Sequence, residues 1–137
     1  MTIVVQGRFR GPPGSGNGGY VAGLLARAAG GHRAIYMRAP TPLDTPLDIT
    51  SDQEPRRLMN DDKVIAEAVA SDAMALPDFP VPPSLEEARA ASGSLPSAHP
   101  NCFCCGDRLE HGEGLRVHAG PLGPGRGDQV AGVWNVH

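Results

Sequence analysis

A cluster of cysteines in the last third of the chain is the set of side chains best suited to chemistry. Cys102 and Cys105 form a Cys-x-x-Cys pair, with Cys104 between them and His99 and His111 on either side. Two thiolates at this spacing can bind one Zn²⁺ through a tight turn, and two histidines can complete a four-ligand site. One interpretation is therefore a structural zinc site formed by Cys102, Cys105, His99 and His111.

The cluster also has features that disfavour metal binding and redox chemistry. No second Cys-x-x-Cys and no His-x-x-x-His accompanies the pair, so the usual four-ligand pattern is incomplete. A redox Cys-x-x-Cys normally opens a helix after a strand, whereas Pro100 and the glycine-rich residues 106–114 predict a loop. The zinc interpretation stays open, and the redox interpretation ranks below it.

Glycine and proline limit how much of the chain can form regular structure. The sequence has 18 glycines and 14 prolines among 137 residues, concentrated in residues 11–19, 77–83, 96–100 and 120–127. With one Trp, two Tyr and three Phe, the core must be built mainly from aliphatic residues. We expect a small core followed by a Pro/Gly-rich C-terminal extension.

Charge and hydropathy exclude several classes of protein. The formal net charge is −3 without a long basic run, so no nucleic acid partner is expected. No apolar run approaches the roughly 20 residues of a membrane span, and the N-terminus lacks a secretory signal pattern. Three clustered cysteines do not resemble the disulfide framework of a secreted domain. The sequence therefore predicts a cytoplasmic protein.

Residues 17–29 carry the strongest helix signal. Apolar residues recur there at helical spacing, Asn17 or Ser15 can cap the start, and Gly30 with Gly31 ends the segment. Arg27 is the only charge, so the helix should be buried on most sides. A helix of this kind needs a sheet around it.

Four short segments supply that sheet. Each combines apolar residues with turn residues at its ends: residues 2–10, 33–39, 46–52 and 64–71. A strand, a buried helix and then a run of strands indicates an antiparallel sheet of the α+β class.

The sequence indicates three segments along the chain. We predict a first domain at residues 1–72, a proline-rich linker at 73–100, and a cysteine-containing segment at 101–137. Ser84 and Glu87 predict a capping box for one short helix in the linker. Residues 115–119 and 129–136 are strand-like.

The sequence NGGYVAGLLARAA at residues 17–29 resembles the start of the central helix in hot-dog-fold acyl-CoA thioesterase-like proteins. As in that family, a Pro-rich corner follows at residues 38–49, and a strand with an Ala-Glu-Ala pattern at residues 64–68. The resemblance implies a hot-dog-like antiparallel sheet wrapped around one central helix. It also implies an acyl-CoA or similar thioester as ligand, no cofactor, and pairing as a homodimer or with a second hot-dog domain.

The same resemblance implies roles for particular residues. Gly18 and Gly19 would present backbone N–H groups to the thioester carbonyl, with Asn17 as a polar contact. Hydrolysis also needs a group that activates water, and the residues themselves indicate Asp44, the one carboxylate in a distinctive local setting, with Thr45 beside it to help orient the water. The alternative is structural: the glycines permit close packing, and Asp44 is an ordinary turn residue bonded to nearby backbone.

Residues 101–137 resemble the opening of a second hot-dog half, which would leave Trp134 exposed. We expect the chain to be too short for a complete, self-sufficient enzyme. Three functions stay open: an acyl-CoA thioesterase-like protein, a non-catalytic binding or assembly subunit of the same fold, and a zinc-knuckle interaction module.

Overall fold

Two units make up the chain, Met1–Ala75 and Leu76–His137. The structure is a computed structural model that describes residues 1–72 and 78–134. Each unit has its own helix and its own sheet, and the candidate site lies in the first unit.

The first unit is a five-stranded antiparallel sheet with one helix. Its strands occur in the order β1-β3-β4-β5-β2, and every neighbouring pair is antiparallel. In chain order the elements are β1 (Thr2–Val4), a 3-10 turn (Gly7–Phe9), α1 (Gly18–Ala29), β2 (Arg33–Met37), β3 (Pro46–Ile49), β4 (Arg56–Asn60) and β5 (Lys63–Ala70). The predicted α+β class is confirmed, and the hot-dog arrangement stays a prediction.

The core of this unit lies between α1 and the sheet. Val21 and Leu25, one helical turn apart, are fully buried on the face of α1 that packs against β2, β4 and β5. Leu58 and Ile65 are buried in the same cluster from the strands. Burial of each of these aliphatic side chains contributes about 1.5–3 kcal/mol, so α1 is held mainly by this face.

Both ends of α1 follow from local sequence. Asn17 lies in the extended region, and its side chain accepts a hydrogen bond from the Tyr20 N–H. Gly30 and Gly31 both have φ of 68°, where a side chain would be strained. The Gly30 N–H donates a hydrogen bond to the Ala26 carbonyl and so completes the last turn of the helix. The predicted helix is confirmed at both ends.

The sheet differs from the prediction at two strands. The strand expected at residues 2–10 ends at Val4, because the chain turns into the 3-10 turn Gly7–Phe9. β4 was not predicted, and it adds a fifth strand to the sheet between β3 and β5. In β4 only Leu58 is buried.

The second unit contains α2 (Leu85–Ala91) and a two-stranded sheet of β6 (Gly120–Pro121) and β7 (Val130–Ala131). The capping box of Ser84 and Glu87 is confirmed. Glu87 also pairs with Arg126 at 2.8 Å. The short helix predicted in the linker therefore packs within this unit, beside β7.

The strand predicted at residues 115–119 is wrong. The backbone N–H groups of Leu115 and Val117 donate to the carbonyls of Phe103 and Cys104. These hydrogen bonds attach the segment to the cysteine-containing turn, and the segment forms no regular strand. Trp134 is 51% exposed, as predicted. In the part of the chain that the structure describes, no helix is long and apolar enough to cross a membrane.

Candidate functional site

The N-terminus of α1 presents two backbone N–H groups to its surroundings. Asn17 caps the third amide, that of Tyr20, at 3.0 Å. Within residues 1–72 and 78–134, no acceptor takes a hydrogen bond from the N–H of Gly18 or Gly19. A Cβ at Gly18 would meet nothing within 4 Å. Two donors without an acceptor among the described residues therefore lie at the positive end of the helix dipole.

An aromatic pair stands beside these donors. The rings of Phe9 and Tyr20 are stacked, with centroids 3.8 Å apart and planes inclined by 9°. The Phe9 carbonyl also accepts a hydrogen bond from the Asn17 N–H at 2.7 Å. Phe9 could not be recognised from the sequence as part of this site, because its contact with Tyr20 depends on the 3-10 turn that replaces the expected strand.

Asp44 is exposed and joins the corner before β3 to that 3-10 turn. Its Oδ1 accepts a hydrogen bond from the Gly7 N–H at 2.9 Å, and its own N–H donates to the Val5 carbonyl at 2.8 Å. The residue has φ of 52°, in the left-handed region that Asp tolerates better than most residues. Asp44 is thus a turn residue, but its side chain bonds to distant backbone.

Thr45 lies beside Asp44, and its hydroxyl donates to the Leu43 carbonyl at 2.9 Å. The 3-10 turn connects this corner to α1, since Gly7 contacts Asp44 while Phe9 contacts Asn17. The structure therefore brings the predicted residues to the two ends of one short turn.

A buried connection fixes the segment before Asn17. The Gly16 N–H donates to the Thr41 carbonyl at 2.9 Å, and the Thr41 N–H donates to Ser15 Oγ at 3.1 Å. Thr41 is fully buried, and its Oγ1 has no hydrogen-bond partner among the described residues. These three residues hold the start of α1 in place.

The cysteine cluster lies in a tight turn of the second unit. The Gly106 N–H donates to the Cys102 carbonyl at 2.7 Å, and the Ser97 hydroxyl lies 3.8 Å from Cys105 Sγ. Burial, followed by the nearby Cys102 thiol, raises the pKa of Cys104. Burial is also the largest cause of the raised pKa of Cys105. Protonated thiols are poor nucleophiles and poor metal ligands.

The predicted zinc ligands are distributed around this turn. The His99 carbonyl accepts a hydrogen bond from the Cys102 N–H, and His111 lines a separate cavity. In residues 1–72 and 78–134, no three His, Cys, Asp or Glu side chains are grouped to hold a metal ion. The zinc site stays a prediction.

A function can be inferred from the N-terminus of α1, the stacked rings of Phe9 and Tyr20, and the corner at Asp44. The chain matches no protein-family model, no curated protein and no solved structure.

Proposed function

We propose that the first unit is a hot-dog-like domain that binds an acyl thioester, such as an acyl-CoA, at the N-terminus of α1. The observation that carries this proposal is the pair of N–H groups at Gly18 and Gly19, which have no acceptor among the described residues. A thioester carbonyl oxygen accepts hydrogen bonds and gains negative charge when the carbon is attacked. Backbone donors at a helix N-terminus stabilise that charge.

The sheet supports the fold part of the proposal. Five antiparallel strands with α1 on one face agree with the sheet and central helix that the resemblance of residues 17–29 implies. Strands β1 and β2 lie at the two edges of the sheet, and Tyr36 and Met37 on β2 are exposed. Pairing with a second copy or a second hot-dog domain would cover such an edge.

In a hydrolytic reaction, Asp44 would act as the base. Its Oδ1 is bonded to Gly7, while Oδ2 accepts no hydrogen bond from the described residues. Oδ2 would take a proton as the water oxygen bonds to the carbonyl carbon. The carbon–sulfur bond then breaks, and the sulfur leaves as a thiolate that takes up a proton. Thr45 Oγ would accept a hydrogen bond from the same water.

A non-catalytic binding subunit is the second candidate. The hydrogen bond from Gly7 gives Asp44 a structural role that does not require catalysis. Binding of an acyl thioester without turnover would then be the function of the first unit. The proposed ligand is the same in both cases.

The binding proposal can be tested by removing one N–H group. Proline suits the first position of a helix and lacks the N–H group. The extended backbone of Asn17 is the conformation that a residue before proline prefers. We therefore compare Gly18→Pro with Gly18→Ala, which keeps the N–H, in calorimetric titrations with a non-hydrolysable thioether analogue of acyl-CoA. We expect Gly18→Pro to bind about tenfold more weakly than Gly18→Ala, the effect of one lost hydrogen bond to a polar ligand. Equal affinities, or no binding by the unaltered chain, would contradict the proposal.

Turnover is measured separately with a panel of acyl-CoAs and a thiol reagent. Asp44→Asn keeps an acceptor for Gly7 and removes the base. Turnover that is lost in this variant identifies a thioesterase. Binding of the analogue with no turnover by the unaltered chain identifies the binding subunit.

A further inference from the structure

The second unit contains an open cavity of about 330 Å³. Arg116, His111 and His118 line it together with Ser92, Gly93 and two apolar side chains, and none of the lining residues within 1–72 and 78–134 is acidic. A volume near 300 Å³ is at the lower end of small-molecule sites. The cavity is therefore large enough for a small ligand, and the charged and titratable groups that line it in the described part of the chain are basic.

Arg116 has no counter-charge in the part of the chain that the structure describes. Among the described residues its guanidinium makes no ion pair and no hydrogen bond, although the side chain is half-buried. Four other arginines each pair with a glutamate: Arg33, Arg38, Arg57 and Arg126. A guanidinium partly removed from water is stabilised by an anion, and its planar fork matches the oxygens of a phosphate or carboxylate.

The backbone holds Arg116 in a costly conformation. Its φ is 52°, in the left-handed region that non-glycine residues seldom adopt. The residues on both sides are fixed, since the Leu115 and Val117 N–H groups donate to the Phe103 and Cys104 carbonyls at 2.8 Å. The cysteine-containing turn thereby sets the position of Arg116 at the cavity.

Two histidine side chains, His111 and His118, line the cavity together with Arg116. His118 is half-buried, its Nε2 lies 3.4 Å from the Gly106 carbonyl, and its own carbonyl accepts a hydrogen bond from Gly93. His111 is exposed and lines the same cavity. Ser92 has a structural role, since its Oγ donates to Ala88 and accepts from the Val133 N–H. The donor available to a ligand is therefore the Arg116 guanidinium, and the two imidazoles lie beside it.

We infer that this cavity binds a phosphate group, either as the free ion or as the monoester of a small molecule. A phosphate carries more negative charge than a carboxylate and offers three or more oxygens to the planar guanidinium fork. The inference is independent of the proposed thioester site, because the lining residues that the structure describes all belong to the second unit.

The test is a titration of the full chain with inorganic phosphate and with glycerol 3-phosphate at constant ionic strength, followed by calorimetry. Arg116→Gln removes the guanidinium. Arg108→Gln makes the same change in net charge at an exposed arginine that does not line the cavity. We expect saturable binding that Arg116→Gln weakens about tenfold or more, as for a lost charge-assisted hydrogen bond, and that Arg108→Gln leaves unchanged.

Tighter binding of one probe distinguishes the free ion from a monoester, and either result supports the site. His118→Gln provides a second variant, also expected to bind more weakly, in case Arg116→Gln fails to fold. The inference is overturned if the unaltered chain binds neither probe. Equal affinities of the Arg116→Gln and Arg108→Gln variants would overturn it as well, because the attraction would then be non-specific.

Discussion

The carboxylate of Asp44 accepts a hydrogen bond from the backbone N–H of Gly7, 37 residues earlier, at 2.9 Å. A Cβ at Gly7 would lie 2.9 Å from Asp44 Oδ2, so a side chain at that position would displace the carboxylate. Through this contact the corner before β3 holds the 3-10 turn that leads to Phe9 and α1. The residue proposed for catalysis is therefore also part of the support for α1, the helix proposed to bind the carbonyl.

Replacement of Asp44 should separate these two roles. Asp44→Ala removes the acceptor and places alanine at φ of 52°, so we expect a loss of about 1–2 kcal/mol in the free energy of unfolding. Asp44→Asn keeps an acceptor and a residue that tolerates this backbone, so its loss should be smaller. Urea denaturation measures both. Equal losses in the two variants would show that the contact with Gly7 contributes little.

The parts of the fold that depend on neighbouring residues could be predicted from the sequence. α1 and the capping box of α2 are examples, because a cap and a run of apolar spacing lie within a few residues of each other. β4 could not be predicted, because Leu58 is its single buried residue and the two arginines before it leave no alternation of apolar and polar residues. Its place in the sheet comes from pairing with β3 and β5.

In the candidate site, too, local features could be predicted from the sequence and contacts between distant residues could not. Asn17 as a cap was predicted from local sequence, and the structure confirms its contact with Tyr20. The partner of Asp44 was not predictable, because no local pattern relates it to Gly7. The cavity around Arg116 was also missed, since it forms only when residues 115–117 bond to the cysteine-containing turn.

Close packing at Gly16 gives a second prediction. A Cβ there would lie 3.0 Å from Val5 Cγ1 and 3.2 Å from Val21 Cγ2, and both side chains are fully buried. We expect Gly16→Ala to destabilise the protein by about 1–3 kcal/mol through overpacking. Gly23→Ala is the matched control, since Gly23 is an exposed position in α1 with nothing within 4 Å of the new Cβ. That variant should gain about 0.5–1 kcal/mol in helix propensity. Thermal unfolding of both variants checks the contrast, and a stabilising Gly16→Ala would contradict it.

The buried hydroxyl of Thr41 gives a third prediction. Its Oγ1 has no partner among the described residues, and burial of an unbonded hydroxyl is unfavourable. Thr41→Val keeps the branched shape and the backbone contacts with Ser15 and Gly16, so we expect stabilisation by about 1 kcal/mol. Thr41→Ala should instead destabilise, because it also leaves a void. A midpoint of urea denaturation that falls in Thr41→Val would show that the hydroxyl has a partner in solution.

The capping box of α2 predicts a pH dependence of the second unit. The hydrogen bond from the Ser84 backbone, followed by that from Arg126, lowers the pKa of Glu87 from 4.5 to about 2. Because the folded pKa lies below the unfolded one, the stabilisation is complete above pH 4.5 and disappears as the pH falls towards 2.

We expect the thermal midpoint of the second unit to fall across this window in the unaltered chain. In Glu87→Gln this part of the fall should be absent, since the titrating group is gone. Glu86→Gln changes the exposed neighbour in the same helical turn and should keep it. A Glu87→Gln variant with the same pH profile as the unaltered chain would mean that the carboxylate does not hold Ser84 and Arg126 in solution.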